Sequence, residues 1–230
     1  WTPESLNALK VLVEELNADK ENYALIIASD SEKFFSAGAD LSRFNHDDKA
    51  QAFEFINAFG SAFEALSNYQ GVSIAAITGF AMGGGLETAL SCDIRIAEEQ
   101  AQMALPECAV GLLPGGLGTQ QLPWLIGEGW AKRMILLGER IKAEKAEQIG
   151  LVQELVPTGK ALEKALELAA KVERQSPTSV RFCKQLSMSA RERPMSSGFT
   201  LEREMFVKLW DTQDQKEGVN AFLEKRKPEW

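Results

Sequence analysis

The chain has 230 residues, of which 45% are hydrophobic and 25% charged, with a formal net charge of −8. These proportions belong to a folded globular protein long enough to bury a sizeable core. A diffuse negative charge opposes nonspecific binding to nucleic acid or anionic membrane, and no apolar run reaches the roughly 20 residues that span a bilayer.

The first residues, Trp1-Thr2-Pro3-Glu4, predict a helix start. Thr2 can cap, Pro3 suits the first helical position and Glu4 complements the dipole. Leu6, Leu9, Val13 and Leu16 continue at helical spacing over 4–17. The run 23–28 reads as a buried strand and 50–68 as a long helix with Phe53, Ile56, Phe59, Phe63 and Leu66 on one side. Residues 72–77 form a second strand, a helix follows from Gly84 to about Ser91, and 94–97 form a third strand. Buried strands alternating with helices argue for an α/β fold with parallel strands. Helices are expected over 119–126 and 128–138, and a short strand over 151–156. From Lys160 onward the chain reads as helical and charged, with starts at Ser176-Pro177 and Thr212. The expected division is a core over 1–159 and a helical region over 160–230.

Three cysteines, Cys92, Cys108 and Cys183, lack C-x-x-C spacing and suggest free thiols in a reducing compartment. The one histidine, His46, lies in a polar run and reads as a solvated loop residue. With a single histidine, read as a loop residue, a histidine-based triad or a multi-histidine metal site is nearly excluded, and no metal is expected.

Two small-residue runs carry the chemistry. Phe35-Ser36-Ala37-Gly38-Ala39-Asp40-Leu41 follows a strand and a polar turn, and Asp40 can cap a short helix. Met82-Gly83-Gly84-Gly85-Leu86-Glu87 puts three glycines directly before a helix. The first run alone reads rather as a tight turn, and the second equally as a glycine-rich packing turn. The second matches neither a P-loop nor a dinucleotide fingerprint. Together they offer backbone N–H groups that can converge on one oxygen as an oxyanion hole. Glu87 lies one helical turn after Gly84, and Glu107 follows Leu105-Pro106 at the end of a short strand. Two carboxylates beside an oxyanion hole suit the addition of water to a conjugated thioester: one handles the water proton and the other the α-proton.

These residues, in this order, resemble the crotonase (enoyl-CoA hydratase/isomerase) superfamily. So do Cys92-Asp93-Ile94-Arg95-Ile96-Ala97, Gly111-Leu112-Leu113-Pro114-Gly115, Gly118-Thr119-Gln120 and the ending Glu217-Gly218, Ala221-Phe222, Glu224-Lys225-Arg226. The resemblance spans essentially the whole chain. It implies a spiral of ββα turns with a helical C-terminal trimerisation region, assembled as a homotrimer or a hexamer of two trimers. It implies that Ala39 and Gly84 supply the oxyanion N–H groups and that Glu87 and Glu107 are the catalytic glutamates. The implied reaction is syn hydration of a trans-2-enoyl-CoA to a 3-hydroxyacyl-CoA, as in fatty-acid β-oxidation, with coenzyme A part of the substrate and no separate cofactor. Ala37, Asp40 and Leu41 would line the thioester and pantetheine path, and Lys225 would meet a phosphate, in this or a neighbouring subunit. The stretch from Arg43 to Asn68 would wall the acyl tunnel.

Two departures stand out. The family usually opens with a β-hairpin before the first helix, so the natural protein is expected to extend further at its N-terminus. A cytoplasmic location is expected, with a mitochondrial matrix form left open by that N-terminus. Leu117 stands where many members carry glycine, and is expected to reshape the pocket wall near Glu107. Isomerisation of an enoyl-CoA on the same oxyanion hole is the alternative reaction; it manages with one carboxylate, and the presence of two favours hydration. A non-catalytic RNA- or CoA-binding role is the alternative outside catalysis, and the charge of −8 opposes the RNA form of it.

Overall fold

The computed structural model describes residues 1–45 and 48–230; His46, and with it the solvated-loop reading, lies outside the described residues. Helix α1 (Pro3–Ala18) begins as the sequence predicts. Thr2 caps it and exchanges hydrogen bonds with Ser5 in a capping box.

Three strand–strand–helix turns follow. β1 (Ala24–Ile27), β2 (Phe34–Ser36) and α2 (Lys49–Ser67) form the first. β3 (Val72–Ile77), β4 (Phe80–Met82) and α3 (Gly84–Leu90) form the second. β5 (Ile94–Glu98), β6 (Gln102–Ala104) and α4 (Gly118–Leu136) form the third. The first strand of each turn joins one sheet and the second strand joins another. β7 (Ile141–Lys142), α5 (Ala143–Gln148) and β8 (Glu154–Val156) complete both sheets. The first sheet runs β1-β3-β5-β8, all parallel, with Ile26, Ile74 and Ile94 in register. The second runs β2-β4-β6-β7, parallel except for the last pair. This alternation is the spiral of ββα turns.

β3 is buried on both faces, as a continuous apolar run predicts. Ile74 and Ala76 meet Ala161 and Ala165 of α6 (Ala161–Val172) on one face. Ala75 and Ile77 meet Leu66, Leu86, Leu90 and Met134 on the other. The chain ends in α7 (Pro177–Ser189), α8 (Met195–Lys208) and α9 (Gln213–Glu224), with Ser176 and Thr212 as the capping residues read from the sequence.

Two boundaries differ from the sequence reading. The helices expected over 119–126 and 128–138 form one element, α4, broken at Gly127 (φ 76°, ψ 157°). The strand expected over 151–156 shortens to 154–156, because Leu151 and Val152 turn into the core instead of pairing.

Candidate active site

The first small-residue run leaves β2 and distributes its amides unequally. The Gly38 N–H donates to Ser36 Oγ (3.3 Å) and the Asp40 N–H to the Trp1 carbonyl (2.9 Å). Between them the Ala39 N–H meets no acceptor among the described residues. Gly38 has φ +90°, and a Cβ there would lie 2.6 Å from the Met82 carbonyl oxygen and 3.2 Å from the Gly84 nitrogen. Glycine is therefore what lets the two runs touch. Asp40 caps the 3₁₀ turn Leu41–Phe44, its Oδ1 accepting from the Ser42 N–H at 3.1 Å.

The second run leaves β4. The Gly83 N–H donates to the Ala104 carbonyl, and Gly84 opens α3, where a first-turn N–H has no partner in its own helix. Gly84 and Ala39 line the same cavity, and the N-terminus of α3 opens there. The far end of α3 is held too. Buried Arg95 donates from Nη1 to the Cys92 carbonyl (2.6 Å) and from Nε to the Leu151 carbonyl (2.7 Å). A cation at a helix C-terminus complements the dipole and fixes the element that carries Gly84 and Glu87.

Glu87 is 2% exposed. Its Oε1 accepts N–H groups from Gly116 and Gly118, each at 2.8 Å. Burial pushes its carboxyl up to about 7; Glu107 adds to the rise, and the Gly118 and Gly116 amides oppose it. Glu107 starts a 3₁₀ turn over Glu107–Val110. Burial raises its pKa as well, and its Oε2 is buried without a hydrogen-bond partner among the described residues. Both carboxyls are thus moved toward the range in which a side chain exchanges protons near neutral pH.

Ala39, Gly84, Glu87 and Glu107 all line one cavity of about 850 Å³. Ala37 and Leu41 line it too. Phe53, Ile56 and Phe59 of α2 form an apolar wall, facing Val110 and Leu113 from the 107–116 loop. The structure therefore brings together six of the eight residues singled out in the sequence. Asp40 is committed to its cap and Lys225 lies exposed at the end of α9; neither lines the cavity. Cys92 is buried and its thiol is pushed up to about 12, as suits a small apolar residue. No cluster of metal-binding side chains occurs among the described residues.

The Gly116 and Gly118 amides were not singled out. Their partner, Glu87, lies about thirty residues away, and the only sequence signal was the glycine density of Pro114-Gly115-Gly116-Leu117-Gly118. Leu117 does not line the cavity by Glu107. It packs on the cluster of Leu6, Phe55, Phe59, Ala62 and Phe63 instead, and in sequence it stands between the two residues whose amides hold Glu87.

The sequence profile of the enoyl-CoA hydratase/isomerase family matches residues 2–230, and the chain belongs to this family, within the crotonase superfamily. The fold matches the structure of Pseudomonas aeruginosa DspI with a TM-score of 0.97 and 61% identity, covering 100% of this chain and 88% of that one. Among functionally named relatives, the 2,3-dehydroadipyl-CoA hydratase of Escherichia coli is 37% identical over 97% of this chain and 88% of its own length. The short-chain-enoyl-CoA hydratase of Clostridium acetobutylicum is 37% identical over 99% of this chain and 90% of its own. Within the family the chain is most like the enoyl-CoA hydratases.

Proposed function

We propose that this enoyl-CoA hydratase adds water syn across a trans-2-enoyl-CoA through an oxyanion hole made by Ala39 and Gly84 and an acid–base pair made by Glu87 and Glu107. The observation that carries this reading is the placement of Ala39, Gly84 and two upward-shifted carboxyls, one buried and one half-buried, on one cavity.

The thioester oxygen sits between the Ala39 and Gly84 amides. Conjugation passes charge from the attacked β-carbon to that oxygen, so the donors bind the enolate more strongly than the substrate. Glu87 is held in place through Oε1 and has Oε2 free to take a proton from water. The hydroxide oxygen bonds to the β-carbon, and the carboxyl of Glu107 gives its proton to the α-carbon as the enolate collapses. Exchange of the proton from Glu87 back to Glu107, through solvent, restores the starting state. Both carboxyls serve one face of the double bond, which gives syn addition.

Ala37 and Leu41 flank the thioester and the pantetheine arm. Asp40 acts by capping the 3₁₀ turn that begins at Leu41. A phosphate contact from Lys225 would have to serve a neighbouring subunit. Exposed Phe206, Trp210, Phe222 and Leu223 on the C-terminal helices support self-association as a trimer or hexamer. No helix among the described residues is long and apolar enough to cross a membrane, in keeping with a cytoplasmic or matrix enzyme of acyl-CoA breakdown such as β-oxidation.

The test is turnover of crotonyl-CoA in D₂O with the product analysed by NMR. The reading expects 3-hydroxybutyryl-CoA with deuterium on one face of the α-carbon. A product with a shifted double bond and no added oxygen would assign isomerisation instead.

A further inference from the structure

We infer that Leu117 is a positioning residue for Glu87: its left-handed backbone, anchored by its side chain on the aromatic cluster of α2, aims the Gly118 N–H at the carboxylate. The inference rests on the reading of Glu87 as a catalytic carboxylate.

Leu117 has φ 78° and ψ −4°, a conformation that leucine rarely adopts. Its effect is on one peptide plane. The Leu117 carbonyl accepts the Gln120 and Gln121 N–H groups (3.0 and 2.9 Å) and so caps α4, while the Gly118 N–H on the same plane donates to Glu87 Oε1 at 2.8 Å. Leu117 thereby joins the start of α4 rigidly to the carboxylate. With the Gly116 N–H also on Oε1, the loop forms a backbone concavity for an anion.

The neighbours explain why the anchor is here. A Cβ at Gly116 would lie 2.5 Å from the Phe63 ring and 2.9 Å from Glu87 Oε2. A Cβ at Gly118 would lie 2.8 Å from Glu87 Oε1. A side chain at either position would displace Phe63 or the Glu87 carboxylate itself, so position 117 is the place in Gly-Leu-Gly where the loop can be fastened without moving the carboxylate. The Leu117 side chain packs on the cluster of Leu6, Phe55, Phe59, Ala62 and Phe63. That packing offsets the backbone strain, as a conformation this unfavourable persists only where its surroundings hold it. Glycine would adopt the same φ without strain but would leave the loop unfastened.

The Glu87 carboxyl faces one other charged group among the described residues, Glu107 of the 107–110 turn; α2 presents only Phe59 and Phe63, and the 116–118 loop presents amides. Those amides favour the anion, so loosening them raises the pH at which Glu87 becomes a base.

The test compares Leu117→Gly, Leu117→Met and Glu87→Gln in kcat, KM and the pH dependence of kcat/KM on crotonyl-CoA. Leu117→Gly is expected to lose roughly tenfold or more in kcat, keep KM within about twofold, and move the acid limb to higher pH. Leu117→Met keeps the anchor and should match the parent. A Leu117→Gly enzyme with the parental kcat and acid limb overturns the inference, as does an equal loss in Leu117→Met. Should Leu117→Gly fail to fold, Leu117→Asn replaces it: asparagine tolerates the left-handed backbone but supplies no apolar anchor, so the same shift is expected and a parental profile overturns the inference. Glu87→Gln separates the two claims. If it stays active, the role of Glu87 itself is wrong; if it is inactive while Leu117→Gly is unchanged, only the positioning role falls.

Discussion

Replacing Glu87 by Gln should inactivate the enzyme and stabilise the protein at the same time. Gln can accept the Gly116 and Gly118 amides through its carbonyl oxygen, so the local geometry survives. What disappears is a carboxylate that the fold disfavours. Burial lifts this carboxyl from an ordinary 4.5 to about 7, which corresponds to about 3 kcal/mol of differential interaction against the ionised form. The sign follows from proton counting. Between about pH 4.5 and 7 the folded state holds the proton that the unfolded chain has released, so stability falls as pH rises through this window, and the full penalty is present above 7. The variant lacks that penalty. It should match the parent near pH 4 and exceed it by up to about 3 kcal/mol at pH 8, or roughly 6–12 °C in Tm for a chain of this size. Loss of the proton acceptor should lower kcat by about 10²–10⁴-fold. Thermal unfolding across pH, paired with crotonyl-CoA hydration, reads both. A stability gain that is the same at pH 4 and pH 8, or a kcat near the parent's, would refute the reasoning.

Three further outcomes follow from the same geometry. Glu107→Gln should lower hydration by at least about 10²-fold with little change in KM, since Glu107 lines the cavity and is the proposed donor of the α-proton; steady-state kinetics checks it. Gly38→Ala places a Cβ 2.6 Å from the Met82 carbonyl at a positive φ, so it should separate the two oxyanion amides. Its kcat should fall at least about 10²-fold, as for loss of an oxyanion donor, and Tm should drop; the paired assays report both. Cys92→Ala removes a buried sulfur that no step uses, so kcat should stay within about twofold while Tm falls slightly, measured by the same two assays.

The parts of the fold that sequence exposes are those with long periodic patterns. α1 and α2 carry apolar residues at helical spacing, β1 is an apolar run of four residues, β3 is apolar but for Ser73, and β5 keeps Ile94, Ile96 and Ala97 around Arg95. The second sheet was only partly legible, through the short strand before Leu105 and the ββα turns that the resemblance implies. Its strands β2, β4 and β6 have three residues each, too few to show alternation, and Phe34–Ser36 overlaps the small-residue run that drew attention for another reason. The same locality governs the site. Gly84 and Glu87 announce themselves because glycines meet a helix start within a few residues. Glu107 needed its partner carboxylate to stand out from an ordinary loop residue. The amides of Gly116 and Gly118 were invisible because a backbone donor has no identity until its acceptor is placed, and Glu87 reaches them only through the packing of α3 against the start of α4. Leu117 shows the reverse case. As a departure from the family's glycine it drew notice, but its effect lies in the direction of one peptide plane, which residue type alone does not reveal.

The central claim is that the Ala39 and Gly84 amides bind the thioester oxygen between Glu87 and Glu107. A crystal structure of the Glu87→Gln variant with crotonyl-CoA tests it most directly. The account predicts the thioester oxygen about 2.7–3.1 Å from both backbone nitrogens, with the β-carbon facing the side chain at position 87 and the α-carbon facing Glu107. A thioester bound elsewhere in the cavity, or with its oxygen on neither amide, would contradict it.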